Sequence, residues 1–248
     1  MAANADVVSS DVVGYVGAAL RGGNQAAGVG GAFVNVDGSE LTLGDLAAVG
    51  YDTKAGYADF EIQAKQLDGA GRGGITYSWV DFTDPDEGVT YKGWYGENGE
   101  DYNDVSLLPG EGLWVYSPNA VFKLQSAGAV SKTPIAVTLR GGNQAKMVSN
   151  PMPATLTLGD ISVEGYNSNE GYAEFEIQAK KLDGAGRGGT TYSWVDFTDP
   201  DEGVTYYGWY GENGEDYNDV EVAAGEGLWI YSPSTAFSVV FPSPLVNE

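Results

Sequence analysis

The side chains able to do chemistry fall into two sets, aromatic and acidic, and both occur twice along the chain. Trp79, Trp94 and Trp114 have counterparts at Trp194, Trp209 and Trp229, with Tyr77 and Tyr192 two residues before the first of each set. An aromatic face stacks on sugar rings or packs against another subunit; it equally forms the second half of a core. Strand alternation separates Tyr77, Trp79 and Asp81 from Ser78, Val80 and Phe82, and sets Leu113 and Val115 against Trp114 and Tyr116. Trp94 shares parity with Thr90 and Lys92. The expectation is one face carrying all three tryptophans of a repeat, opposite the aliphatic side, as candidate ligand-binding residues.

The acidic set gathers on turns. Asp81, Asp84, Asp86 and Glu87 recur as Asp196, Asp199, Asp201 and Glu202, while Asp101 and Asp104 recur as Asp216 and Asp219. Calcium takes six to eight oxygen ligands from carboxylates, amides and carbonyls on flexible loops, which makes these residues candidate Ca2+ ligands. Neither cluster has the spacing of an EF-hand loop, and the alternative is a pair of solvated turns closed by local Asx hydrogen bonds. Paired carboxylates also run glycoside hydrolysis, but that needs two acids at a fixed separation in a cleft, one with a raised pKa. Acids on polar, glycine-bearing turns argue against an enzyme.

Composition removes other chemistries. The chain has neither Cys nor His. Thiol nucleophiles, Ser-His-Asp triads, zinc centres of the usual type and His-ligated haem are therefore excluded. A formal charge of −23 opposes binding to nucleic acid or to an anionic membrane. No apolar run is long enough for a transmembrane segment. Ala3-Asn4-Ala5 reads as the end of a signal peptide whose apolar part is missing from this chain, which implies an extracellular or cell-surface location.

The elements that position these residues are themselves duplicated. Residues 76–91 recur unchanged at 191–206 and residues 93–105 at 208–220, with an offset of 115. Upstream, LRGGNQA at 20–26 recurs at 139–145 with an offset of 119, so the first copy carries four extra residues near Gly28 to Ser39, marking a loop. The division is an N-terminal segment 1–10, a first β-domain repeat 11–130 and a second 131–248, with the boundary in the small residues from Ser126 to Thr133.

Strands dominate. Ala58 to Lys65 alternates strictly, placing Phe60 and Ile62 inward. Thr76 to Phe82, Val89 to Tyr95, Leu113 to Tyr116 and Val121 to Gln125 read as further strands, and Leu41 to Ala48 as a short helical turn capped by Thr42. The glycine loop from Gly69 to Gly74 leads into a strand and not a helix, so it reads as a hairpin connection and not a phosphate cradle. The fold class is all-β: two tandem β-sandwich or jelly-roll-like domains from an internal duplication.

VTLRGGNQAKMVSNPM followed by TLTLGD opens the second copy, and DVSLLPGEGLWVYSP and DVEVAAGEGLWIYSP close the two copies. This pattern resembles an uncharacterised exported β-rich repeat of planctomycete and verrucomicrobial surface proteins. The resemblance spans most of each copy; its motifs are structural and imply no activity. The first copy departs from it, with Gly28 to Phe33 where the second has Met147 to Pro151.

Together these observations predict a non-catalytic exported structural or surface protein that self-assembles into a layer or filament. The free segments Ala5 to Gly14 and Phe237 to Glu248 are expected to pair with sheet edges of neighbours. The alternative is a pair of carbohydrate-binding modules for an extracellular glycan, with calcium ordering the acidic turns.

Overall fold

The computed structural model describes residues 13–20, 25–30, 39–50, 62–66, 74–117, 122–131, 133–141, 144–166, 177–181, 189–232 and 235–243. The chain is all-β. In the first repeat the strands are β1 (Val13–Leu20), β2 (Gln25–Gly30), β3 (Leu41–Thr42), β4 (Ala47–Val49), β5 (Gln63–Gln66), β6 (Thr76–Thr83), β7 (Thr90–Tyr95), β8 (Ser106–Leu107), β9 (Gly112–Ser117) and β10 (Phe122–Ala129). The second repeat follows with β11 (Ile135–Leu139), β12 (Gln144–Ser149), β13 (Leu156–Thr157), β14 (Ser162–Glu164), β15 (Gln178–Lys181), β16 (Thr191–Thr198), β17 (Thr205–Tyr210), β18 (Glu221–Val222), β19 (Gly227–Ser232) and β20 (Phe237–Phe241).

The two repeats share one topology. A three-stranded sheet β1-β10-β4 and a five-stranded sheet β2-β9-β5-β6-β7 are matched by β11-β20-β14 and β12-β19-β15-β16-β17, with β3-β8 and β13-β18 as small ribbons. Among the described residues every strand pairing is antiparallel, in keeping with short strands joined by tight turns. β5 and β6 pair directly, while all but the last residue of the glycine-rich stretch from Gly69 to Gly74 lies outside the described residues.

Each repeat has its own core between its two sheets. In the first, Phe122 and Leu124 of β10 meet Tyr77, Trp79, Trp94, Leu113 and Val115 of the larger sheet. The second repeats this with Phe237, Val239 and Phe241 against Trp194, Trp209, Leu228 and Ile230. Burial alternates along β10 from Phe122, so one face of the strand is apolar and the other wet. Fully burying each such side chain contributes about 1.5–3 kcal/mol. The turn expected near Thr42 is a 3-10 turn, Leu43–Asp45, in which the Asp45 carboxylate accepts the Thr42 N–H at 2.9 Å and the Thr42 hydroxyl at 3.1 Å.

Three expectations change. The small residues Ser126 to Ala129 continue β10, because β1 supplies a strand in register as far as Val13↔Ala129; the connection between repeats is only Val130 to Pro134. Phe237 to Phe241 is not free for a neighbour: as β20 it is the centre of its sheet, held on both sides by β11 and β14. Gly28 to Gly30 belong to β2, in register with Trp114 to Gly112, and not to a loop. Ile62 is buried as expected, while Phe60 and residues 1–12 lie outside the described residues.

Candidate functional site

Strand register splits the tryptophans between two faces. Trp79 stands directly opposite Trp94, so these two share a face. β5 lies between β6 and β9, and its Ala64 pairs with both Tyr77 and Val115 while Lys65 pairs with both Thr76 and Trp114. Tyr77, Trp79 and Trp94 therefore stand on the face of Val115, which is the core, and Trp114 stands on the other. The single aromatic face expected from alternation does not exist. Parity within one strand says nothing about its phase relative to a neighbour; that is fixed by hydrogen-bond register, and a one-residue change reverses the answer.

Burial follows from that register. Trp79 and Trp194 are 2% exposed, and Trp94 and Trp209 are fully buried. Tyr77 and Tyr192 are buried beside them, each edge-on to a second tyrosine, Tyr102 or Tyr217, with ring centres 5.2 Å apart. No sugar ring can reach these faces. The Trp94 indole N–H donates to the Leu46 carbonyl at 2.8 Å, and Trp209 donates equally to Ile161. By contrast the indole N–H groups of Trp79 and Trp194 are buried with no partner. Burial, the largest cause, raises the phenol pKa of Tyr77 and Tyr192, with the neighbouring Tyr102 and Glu111 adding to it for Tyr77.

The acidic turns use their carboxylates locally. Asp84 accepts the N–H groups of Asp86 and Glu87 at 2.8 and 3.1 Å, closing the turn between β6 and β7, and Asp199 does the same for Asp201 and Glu202. Asp81 pairs with Lys92 at 3.3 Å. Asp101 accepts both the backbone and side-chain N–H of Asn103, at 2.8 and 2.7 Å, and Asp216 accepts those of Asn218. Asp86, Glu87, Asp104, Asp201, Glu202 and Asp219 are exposed. Among the described residues no three acidic side chains converge to hold a metal ion. The pKa of Glu100 and of Glu215 is lowered, first by backbone hydrogen bonding and then by the Asn98 or Asn213 side chain. That shift is opposite to what a general acid requires.

The residue that organises this region is Asn103, which in the sequence stands only as one more oxygen donor beside Asp101 and Asp104. Asn103 Oδ1 accepts the Trp94 N–H at 2.9 Å while its amide donates to Asp101, so one side chain seals the outer edge of β7. It lies over Gly93, whose φ is +131°; a Cβ there would fall 2.0 Å from Asn103 Oδ1. Asn218 and Gly208 repeat the arrangement. The signal was available as a glycine two residues after Tyr91 and Tyr206, in strands where glycine is otherwise costly.

The remaining tryptophans meet each other. Trp114 and Trp229 are edge-to-face with ring centres 5.5 Å apart, joining the outer faces of the two larger sheets. Around them Ser149 N–H donates to the Gly110 carbonyl and its hydroxyl to the Glu111 carbonyl, both at 2.9 Å, and Glu111 forms a β-bridge with Val148. Lys146 pairs with Glu111 at 2.9 Å, both side chains about one-fifth exposed. A Cβ on Gly112 would lie 2.8 Å from the Met147 side chain and 2.9 Å from the Val148 carbonyl, so glycine allows the backbones to approach. The contact is reciprocal. Gly110 of repeat 1 abuts Val137, Ile135 and Phe241 of repeat 2, while Ala224, next to the equivalent Gly225, packs on the core of repeat 1.

Among the described residues no helix is long and apolar enough to cross a membrane. No family model, curated protein or solved structure matches this chain.

Proposed function

We propose that the chain is a non-catalytic structural building block, exported to the cell surface, whose copies join through the open edges of the three-stranded sheets. The observation that carries this reading is β1. It is eight residues long, pairs only with β10 among the described residues, and has no charged residue from Val12 to Leu20. Sheet edges are ordinarily blunted by lysine, proline or bulges, and a long uncharged edge is a template for another strand. β11 is the equivalent edge in the second repeat and is likewise uncharged. The acidic turns that give the chain its charge belong to the other sheets, so repulsion is weakest where the edges lie. Export is part of the same proposal, and what supports it is the resemblance of the two closing motifs to exported surface repeats.

The glycan reading loses its residues, since four of its six tryptophans are core and the other two are in mutual contact. The test is sedimentation velocity and electron microscopy over a concentration series. The chain is expected to associate, and Ala19→Glu with Ala136→Lys to suppress association without lowering the melting temperature. Ala19 stands in register with exposed Lys123, and Ala136 is exposed on β11. A chain that stays monomeric at every concentration refutes the reading.

A further inference from the structure

We propose that the face joining the two repeats also joins copies of the chain, repeat 1 of one copy receiving repeat 2 of the next. This rests on the building-block reading above and names a second, separable contact for it. The face is built on a two-fold relation: equivalent residues Trp114 and Trp229 touch each other, and the equivalent turns at Gly110 and Ala224-Gly225 each reach the other repeat. Nothing covalent holds the partners except the connection Val130 to Pro134. That connection is closed by the Ser131 hydroxyl donating to the Thr133 carbonyl at 2.7 Å and by Ser243 donating to the Ser131 carbonyl at 3.0 Å. If it opens, the same contacts form between two chains as within one, which is the basis of domain swapping.

The ionic pairs disfavour the meeting of two first repeats, though not of two second repeats, whose Glu226 keeps its own Lys181. Glu111 takes its lysine, Lys146, from the other repeat, whereas the equivalent Glu226 takes Lys181 from its own, at 3.1 Å. At the positions of Lys146 and Lys181 the first repeat has Ala27 and Gln66. Two first repeats facing each other would leave Glu111 without either lysine, in a half-buried place. Repeat 1 against repeat 2 satisfies both glutamates. A chain carrying one of each can therefore exchange head to tail, which gives a closed pair or an open fibre according to the rotation.

The experiment uses the absence of native cysteine. Glu111 and Val148 are bridge partners, and antiparallel partners have Cα atoms about 4.5–5.5 Å apart, within disulfide reach. The full chain carrying Glu111→Cys and Val148→Cys, oxidised when dilute, is expected to form an internal disulfide, which verifies the fold of the variant. It is then reduced, unfolded, refolded over a concentration series and oxidised again. The fraction of chains linked in dimers and ladders on non-reducing gels should rise with concentration. Co-refolding chains bearing Glu111→Cys alone with chains bearing Val148→Cys alone should give a cross-linked heterodimer. Both are repeated with Ala19→Glu and Ala136→Lys present, to remove edge pairing. Ladders that persist there support exchange. Internal disulfides alone, with association lost in the edge variant, overturn exchange and leave the building-block reading standing; no association in either background overturns both.

Discussion

Replacing Trp79 and Trp94 by phenylalanine, one at a time, separates two side chains that look interchangeable in packing. They are cross-strand neighbours with ring centres 5.5 Å apart, both buried, and each loses the same part of its indole. Two lost ring carbons cost about 1.6 kcal/mol at about 0.8 kcal/mol per carbon group. Trp94→Phe also strands the buried Leu46 carbonyl, which costs about 1–3 kcal/mol more. Trp79→Phe instead removes an N–H that is already buried without a partner, recovering about the same 1–3 kcal/mol. The first variant should lose about 3–5 kcal/mol and the second close to none. At about 2–4 °C per kcal/mol for a chain of this size, the two melting temperatures should differ by roughly 6–20 °C. Thermal unfolding followed by far-ultraviolet circular dichroism reads this directly, and Trp209→Phe against Trp194→Phe repeats the comparison with one difference, Tyr207 edge-on to Trp194 where repeat 1 has Lys92. Equal losses for Trp79 and Trp94 would refute the assignment of the two indole nitrogens.

Asn103→Ala should cost about 1–3 kcal/mol by leaving the Trp94 N–H unpaired, and adding Asn218→Ala should roughly double the loss in urea unfolding. Glu100 should titrate below its ordinary value of 4.5 by NMR, and Asn98→Ala should move it part of the way back, since backbone hydrogen bonding is the larger cause. Because its folded pKa is depressed, the stabilising contribution of Glu100 is present above that ordinary value and is lost as pH falls through the lowered one. Tyr77 and Tyr192 have the opposite linkage: their raised pKa keeps them protonated in the fold, so stability holds below about pH 10 and falls as pH rises from there. Alkaline difference spectra should therefore show a late-titrating class of tyrosine that merges with the rest on unfolding. Gly112→Val should separate the repeats, exposing Trp114 and Trp229 and shifting tryptophan emission to the red; unchanged emission would mean that Met147 yields instead.

In the stretch repeated most faithfully, Thr76 to Val105, both tryptophans and several of the acids serve the fold, while Asp86, Glu87 and Asp104 stay exposed. Asp84 and Asp101 close turns, Trp79 and Trp94 fill the core, and Asn103 seals a strand edge. Such stretches look alike in sequence whether they bind or merely fold. An Asx turn and a calcium loop draw on the same Asp, Asn and Gly, and only the convergence of oxygens distinguishes them.

By itself, the amino-acid sequence determined what is local or arithmetic. Duplication follows from identity at fixed offsets, the strands from period-two runs such as Thr76 to Phe82, the capped turn from Thr42 and Asp45, and the excluded chemistries from the absence of Cys and His. Tertiary structure decided everything that depends on phase between distant strands. Whether Trp114 joins Trp79 or opposes it hangs on Lys65 pairing with both Thr76 and Trp114, a register set by hydrogen bonds among three strands and written in none of them. The same holds for β20, whose C-terminal position suggested a free end but whose apolar alternation is satisfied between β11 and β14. It holds too for the turn at Gly110, which lies far from Val137 and Phe241 in the chain and meets them only because two copies of one fold present the same face to each other.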